Sequence, residues 1–224
     1  MNNSTNAIER KRKNNEKISE MGIPICKGLP ILEDEMKNNF RSLDDICKRA
    51  ISCIISVQLS CDINNGFDYQ QSKKFCLNLL HVYNVQDCLI PKEKRIFDGK
   101  YSHQDILDIT WSYECYWSLV WALGLIDNNE FIPNKICDCR KAVELVSKSI
   151  NYEDFKNKCK LRDLDEILDA LDLHYRYHWA CVEKRINPDT YIADLNPEVV
   201  YERRRGLEWL FSNQDDWYDI SLDT

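Results

Sequence analysis

The sequence predicts an all-α fold, and three observations carry that expectation. Glycine and proline number six each in 224 residues. That is too few for a sandwich or barrel, which turns roughly every 8–12 residues. Apolar residues recur at helical spacing along several stretches. Capping residues stand at the start of those stretches. Apolar residues make up 44% of the chain, enough for a core and against wholesale disorder. We expect one compact domain of six to eight helices over residues 21–224, behind a polar leader over residues 1–20.

The leader holds five basic and three acidic residues, including the run Arg10 to Lys13. It reads as a helix with a loose, solvated end. Residues 22–30, GIPICKGLP, concentrate four of the twelve glycines and prolines. Proline drives its predecessor out of the αR region, so this stretch is extended or turning. Its Ile23, Ile25 and Leu29 suggest an arm laid on the domain.

Ser42, with Asp45 three residues on, matches a capping box. Leu43, Ile46, Cys47, Ala50, Ile51, Ile54 and Val57 then give one apolar face. A second helix is expected from Gln71 to about Cys88, with Phe75, Leu79 and Val82 inward. Pro91 to Arg95 marks a connection or short helix. Ser102 and Asp105 repeat the capping pattern and open a long helix to Leu125. Its second half, Tyr116 to Leu123, is apolar all round, so it is the aromatic-rich central helix. Cys137 to Ile150 reads as helical, and Asn151 caps a short turn. Asp163 opens the next long helix, to about Arg185. Asn196-Pro197 opens the last, to about Phe211, because proline suits the first helical position.

The net charge is −7, with Asp215, Asp216, Asp219 and Asp223 gathered at the end of the sequence. A net-negative domain is a poor fit to a phosphate backbone, so no nucleic-acid partner is expected. The longest apolar run, Tyr116 to Ile126, falls short of the roughly 20 residues that span a bilayer, so no membrane partner is expected. The first twenty residues lack the apolar stretch of a signal peptide. The eleven cysteines are therefore expected as reduced thiols of a cytoplasmic protein, behaving as small hydrophobes.

The Gly-rich phosphate loops, the G-x-S-x-G elbow and H-E-x-x-H are all absent. There is no C-x-x-C, and Cys137-Asp138-Cys139 lacks neighbours to complete a metal set. His174 and His178 lie one above the other on a helix and are candidate metal ligands. Their stripe, with Ile167, Leu171 and Val182, instead favours core histidines bonded to backbone carbonyls, so no metal and no cofactor is expected. Arg176 shares a face with Asp165, Asp169, Asp172 and Glu183, which reads as a solvated, salt-bridged surface with Asp172 as its partner.

Arg203 falls within the apolar stripe of Val199, Val200, Leu207 and Leu210. Glu114 falls among Trp111, Tyr113, Trp117 and Val120. Buried charges need partners, so a Glu114–Arg203 pair is the natural expectation. With His178 and Glu202 near them, the four would be candidate catalytic residues of an acid/base site. A structural ion-pair network is the reading weighed ahead of it.

Several stretches together resemble a bacterial family, the domain of unknown function 4272. They are Gly22-Ile-Pro24 with Leu29-Pro30, Arg41-Ser-Leu-Asp-Asp-Ile46 with Arg49-Ala50, and Trp111-Ser-Tyr-Glu114 with Leu119-Val-Trp-Ala-Leu-Gly124. Tyr175-Arg-Tyr-His178-Trp179-Ala180, Val199-Val-Tyr-Glu202-Arg203, Trp209-Leu210, Trp217 and Asp223-Thr224 complete the set. The resemblance spans nearly the whole chain. It implies a soluble helical bacterial protein whose family-like polar residues are Glu114, Arg176, His178, Glu202, Arg203 and Asp223. His174 stands where relatives carry an aliphatic residue, and Arg204 where they carry histidine.

The leading functional expectation is a non-enzymatic protein-interaction module, a toxin-neutralising partner being one version. Arg176, Asp216, Asp219 and Asp223 are its candidate binding residues, and an acidic face suits a basic protein partner. The alternative is an enzyme or small-ligand binder built on Glu114, His178, Glu202 and Arg203.

Overall fold

Side-chain caps open the helices where the sequence places them. In the computed structural model, which describes residues 6–224, Ser42 Oγ accepts the Asp45 N–H at 3.1 Å. Ser102 and Asp105 form a reciprocal capping box, and Asn151 and Asn196 cap the Asp154 and Val199 amides. Each satisfies an amide that a helix start leaves without an internal partner. The helices are α1 (Ala7–Glu20), α2 (Leu43–Asn64), α3 (Tyr69–Val82), α4 (Pro91–Asp98) and α5 (His103–Ala122). They continue with α6 (Cys139–Ser147), α7 (Tyr152–Lys158), α8 (Leu164–Ile186) and α9 (Pro197–Leu210). Nine α-helices lie among the described residues: α1 in the leader and eight in residues 21–224, within the six to eight expected there, with the short stretches at Pro91 and Tyr152 forming helices of their own. No strand occurs among the described residues, and no helix is long and apolar enough to cross a membrane.

The described residues group into two compact units. The first comprises residues up to Phe40, Ile132–Ile136 and Arg162–Thr224, and so contains α1, α8 and α9. In it α1 and α9 each pack on α8. Ile18, Ile23, Tyr177, Ala180, Cys181, Ile192, Leu195 and Val200 form an apolar cluster. The second unit comprises Arg41–Phe131 and Cys137–Leu161, with α2 packed on α5 and α3. Along α5 every residue from Glu114 to Ala122 is buried. Trp117 and Trp121 satisfy their indole N–H groups on the Glu130 carbonyl and the Asn128 side chain, at 2.9 and 2.8 Å.

Three expectations need correction. Phe75 and Val82 are not inward but 58% and 45% exposed. Cys76 and Leu80 are the buried residues of α3, a quarter-turn away. That helix also ends at Val82 rather than Cys88, since Asn84 turns left-handed at φ 55°. The basic run of the leader is not wholly solvated. Arg10 is buried and donates to the Leu32 carbonyl at 2.9 Å and Asp34 at 2.5 Å. The leader's residues 1–5, where its expected loose end would fall, lie outside the described residues.

Candidate functional site

The buried charges of the first unit gather on α8, α9 and the segment that follows them. On α9 three consecutive arginines, Arg203, Arg204 and Arg205, are all buried. Successive helical positions point about 100° apart, so each reaches a different partner.

Arg203 is 1% exposed and donates to the carbonyls of Ile132 and Lys135, at 3.1 and 3.3 Å. Arg204 donates to His178 Nδ1 at 2.6 Å, to the Leu222 and Asp223 carbonyls at 2.9 and 3.3 Å, and to Glu208 at 3.2 Å. Its guanidinium also lies over the Tyr175 ring, 4.5 Å from the centroid. Arg205 donates to both Glu202 oxygens at 2.5 Å and to the Tyr201 hydroxyl at 3.0 Å. It sits over the rings of Tyr201 and Tyr218, at 4.7 and 4.8 Å. Planar guanidinium groups suit such stacked, forked contacts.

Three of these partners, Tyr218, Leu222 and Asp223, belong to the acidic end of the sequence. Trp217 is fully buried there, and Trp209 donates its indole N–H to the Asp215 carbonyl at 3.0 Å. Asp216 caps a short 3-10 turn through the Tyr218 amide at 2.9 Å. Asp219 and Asp223 are exposed, and Ser221 donates to the Asp223 carboxylate at 2.6 Å. The acidic segment is thus fastened by α9 at its backbone while it presents carboxylates outward.

This geometry sets the chemistry of His178. A guanidinium can only donate, so Nδ1 is the acceptor and the ring proton sits on Nε2. Burial first, and the neighbouring arginines second, lower the ring to about 4. Near neutral pH His178 is therefore a neutral donor whose basic lone pair is occupied. His174 carries the opposite tautomer, with Nδ1 on the Ala170 carbonyl at 2.8 Å, and burial lowers it to about 3. A metal shared by the two rings would need the lone pair that Arg204 holds. Among the described residues, no group of three or more His, Cys, Asp or Glu side chains is arranged to hold a metal ion.

The Arg176 face is not solvated as its charges suggest. Arg176 is 3% exposed and forks onto Asp172 at 2.6 and 2.8 Å. Asn14 of α1 donates to the same carboxylate at 2.8 Å. The Asp172–Arg176 pairing expected from helical spacing is present, and α1 covers it.

Glu114 belongs to the second unit. It is 1% exposed and accepts the Cys137 N–H at 2.6 Å, a strong bond to an ionisable acceptor. The second unit also holds a buried pair that sequence reasoning missed, between Arg49 and Glu93. Glu93 additionally accepts the Ile90 N–H at 3.0 Å, and Arg49 donates to the Cys88 carbonyl at 2.8 Å.

Of the candidate catalytic residues, His178, Glu202 and Arg203 all lie on α8 and α9 of one unit: His178 accepts from Arg204, Glu202 accepts from Arg205, and Arg203 donates to the Ile132 and Lys135 carbonyls. The central residue of that unit is Arg204, noted from sequence only as a departure from a family histidine. Its i,i+4 relation to Glu208, and that of Glu202 to Arg205 at i,i+3, were the available signals.

These features define an all-helical protein whose buried arginines brace helix ends and a terminal segment. The chain belongs to the family described as domain of unknown function (DUF4272), which matches residues 10–220. No curated protein and no solved structure matches it.

Proposed function

We propose that the chain is a non-enzymatic protein-interaction module of the bacterial cytoplasm, recognising a basic protein partner. Neutralising a toxin is one form of that role. The observation that carries this reading is the fastening of the acidic segment by Arg204 and Arg205. A segment already ordered does not lose that freedom again on binding. Asp216, Asp219 and Asp223 then stand at fixed positions, and a fixed acidic edge steers a basic partner. The occupied lone pair of His178 supports a bracing role for the same cluster over acid/base work.

The family match crosses both units, which supports reading residues 21–224 as one domain. Buried Tyr116, Trp117 and Trp121 support α5 as its central helix. Buried Ile23 and Leu29 support residues 22–30 as an ordered arm.

The test is crosslinking in the native host, followed by capture of the intact chain. The reading expects one specific basic protein, retained by the unaltered chain and lost from the triple variant Asp216→Asn, Asp219→Asn, Asp223→Asn. Recovery of no specific protein, or equal recovery by both chains, would count against it.

A further inference from the structure

Away from the arginine cluster, the second unit brings two thiols into contact. Cys47 on α2 and Cys159, the residue that ends α7, have sulfurs 3.8 Å apart, although 112 residues separate them in sequence. All eleven cysteines are unbridged thiols. Most of the buried ones need no account beyond packing, since a cysteine acts as a small hydrophobe. This pair is different in three ways.

The sulfurs face each other directly, the Cys47 thiol donating to the Cys159 sulfur. Access is unequal: Cys47 is fully buried and Cys159 is half-buried. The backbone is also unequal. Cys47 is held inside a long helix, whereas Cys159 leaves α7 in an extended conformation, φ −81° and ψ 134°, and begins an irregular stretch. A disulfide needs the sulfurs at about 2.05 Å. The remaining approach is small, and it falls to Cys159, which lies at the end of α7 with its thiol on the Phe155 carbonyl at 3.3 Å rather than inside a helix.

We propose that Cys47 and Cys159 form an oxidation site for hydrogen peroxide, with Cys159 as the attacking thiol and Cys47 as the resolving one. The Cys159 thiolate attacks one peroxide oxygen, the O–O bond breaks, hydroxide leaves, and Cys159 becomes a sulfenic acid. The Cys47 sulfur then attacks the Cys159 sulfur, the S–O bond breaks, and the Cys47 proton leaves with the oxygen as water. The two thiols lose two electrons together, and one peroxide is reduced to two waters after the first hydroxide is protonated. The hydrogen bond from Cys47 lowers Cys159 from the ordinary thiol range against the opposing effect of burial, which favours the attacking thiolate. The product ties α2 to the end of α7.

The site also has a charged rim. Asp44, one helical turn before Cys47, pairs with Lys156 at 2.8 Å and Lys48 at 2.6 Å, and accepts the Tyr152 hydroxyl. These bonds hold α7 against α2, with the two sulfurs 3.8 Å apart.

The test treats the intact, reduced chain with hydrogen peroxide, blocks remaining thiols and maps peptides by mass spectrometry. The expected product is a linked Cys47–Cys159 peptide pair that dithiothreitol separates. In Cys47→Ala the reaction stops at Cys159, which dimedone labels. In Cys159→Ser, Cys47 stays reduced. A wild-type chain without that link would overturn the proposal, as would a link confined to Cys137 and Cys139. Dimedone labelling that bypasses Cys159 in a folded Cys47→Ala chain would do the same. Should circular dichroism show Cys47→Ala unfolded, the wild-type map decides alone.

Discussion

Arg204 ties several parts of the candidate site together. It fixes the His178 tautomer, pairs with Glu208 and fastens two carbonyls of the terminal segment. Burial lowers it from its ordinary value, yet arginine stays protonated throughout the physiological range. Removing it leaves the partly buried Glu208 without this cation. Arg204→Gln is therefore expected to release residues 217–224, read as faster amide hydrogen exchange there while helical content persists. Unchanged exchange would show that Arg204 is not what anchors the segment.

The buried histidines carry a pH prediction. Both are held neutral when folded, near 3 and near 4, and both take protons near 6.5 when unfolded. The unfolded chain thus binds more protons across that interval. Stability contributed by neutral burial is full above about 6.5 and is lost as pH falls towards 4, at about 1.4 kcal/mol per pKa unit for each ring. Glu208 works the other way over part of the interval, since burial raises its carboxyl. Urea unfolding midpoints are expected to fall between pH 7 and 4, with a shallower fall in His178→Gln. A flat profile, or equal slopes, would contradict this.

The burial of single charges was only partly legible. Arg203 and Glu114 announced themselves because each interrupts an apolar stripe. Arg176 did not, because its helical face is polar throughout. That face is interior because α1 packs on α8 and places Asn14 on the Asp172 carboxylate. A periodic pattern reports the face of one helix and not what is laid over it.

At the scale of elements, the chain's starts were more legible than its surfaces. Caps at Ser42, Ser102, Asn151 and Asn196 are local chemistry, and each opens the helix its position implies. The buried face of α3 was misplaced because Phe75, Leu79 and Val82 make as good a stripe as Cys76 and Leu80. Only packing against α2 separates the two.

The end of α5 gives a sharper test. Gly124 follows it at φ 70°, with its amide and that of Leu125 closing onto the Trp121 and Val120 carbonyls at 2.9 Å. An L side chain in that conformation costs roughly 1–2 kcal/mol. A Cβ there would also collide with the Lys160 carbonyl oxygen. Gly124→Ala should lower the melting temperature by more than Gly99→Ala. Gly99 shares the left-handed conformation, but its Cβ would meet only the Tyr69 side chain, with the hydroxyl nearest at 3.3 Å. Equal losses would remove the close approach from the account.

The α2–α4 pair offers another. Glu93 is fully buried against Arg49, and breaking such a pair from one side costs about 3–5 kcal/mol. Glu93→Ala should lose stability on that scale in chemical denaturation. A loss like that of an exposed ion pair, about 0–1 kcal/mol, would contradict the assignment.

Over the whole molecule, helices fill two compact units, and the chain passes between them more than once. The first unit is assembled from three separate stretches of sequence. That arrangement was illegible beforehand, because no glycine- or proline-rich linker marks the crossings at Phe40, Phe131, Ile136 or Leu161. Composition reported the helices, and order along the chain concealed their grouping. The family match across residues 10–220 covers both units.

The proposed role rests on the polar cluster acting as a brace, and brace and catalyst differ by one proton. A brace keeps His178 neutral with its hydrogen on Nε2, because Arg204 occupies Nδ1. A general base needs that lone pair exposed and a titration near neutral pH. Nitrogen-15 spectra of the His178 ring, followed from pH 8 down to the acid limit of the fold, measure both properties at once. The account predicts the Nε2–H tautomer and no protonation until the pH approaches about 4. A ring that titrates at or above 6.5, or carries its hydrogen on Nδ1, would contradict it.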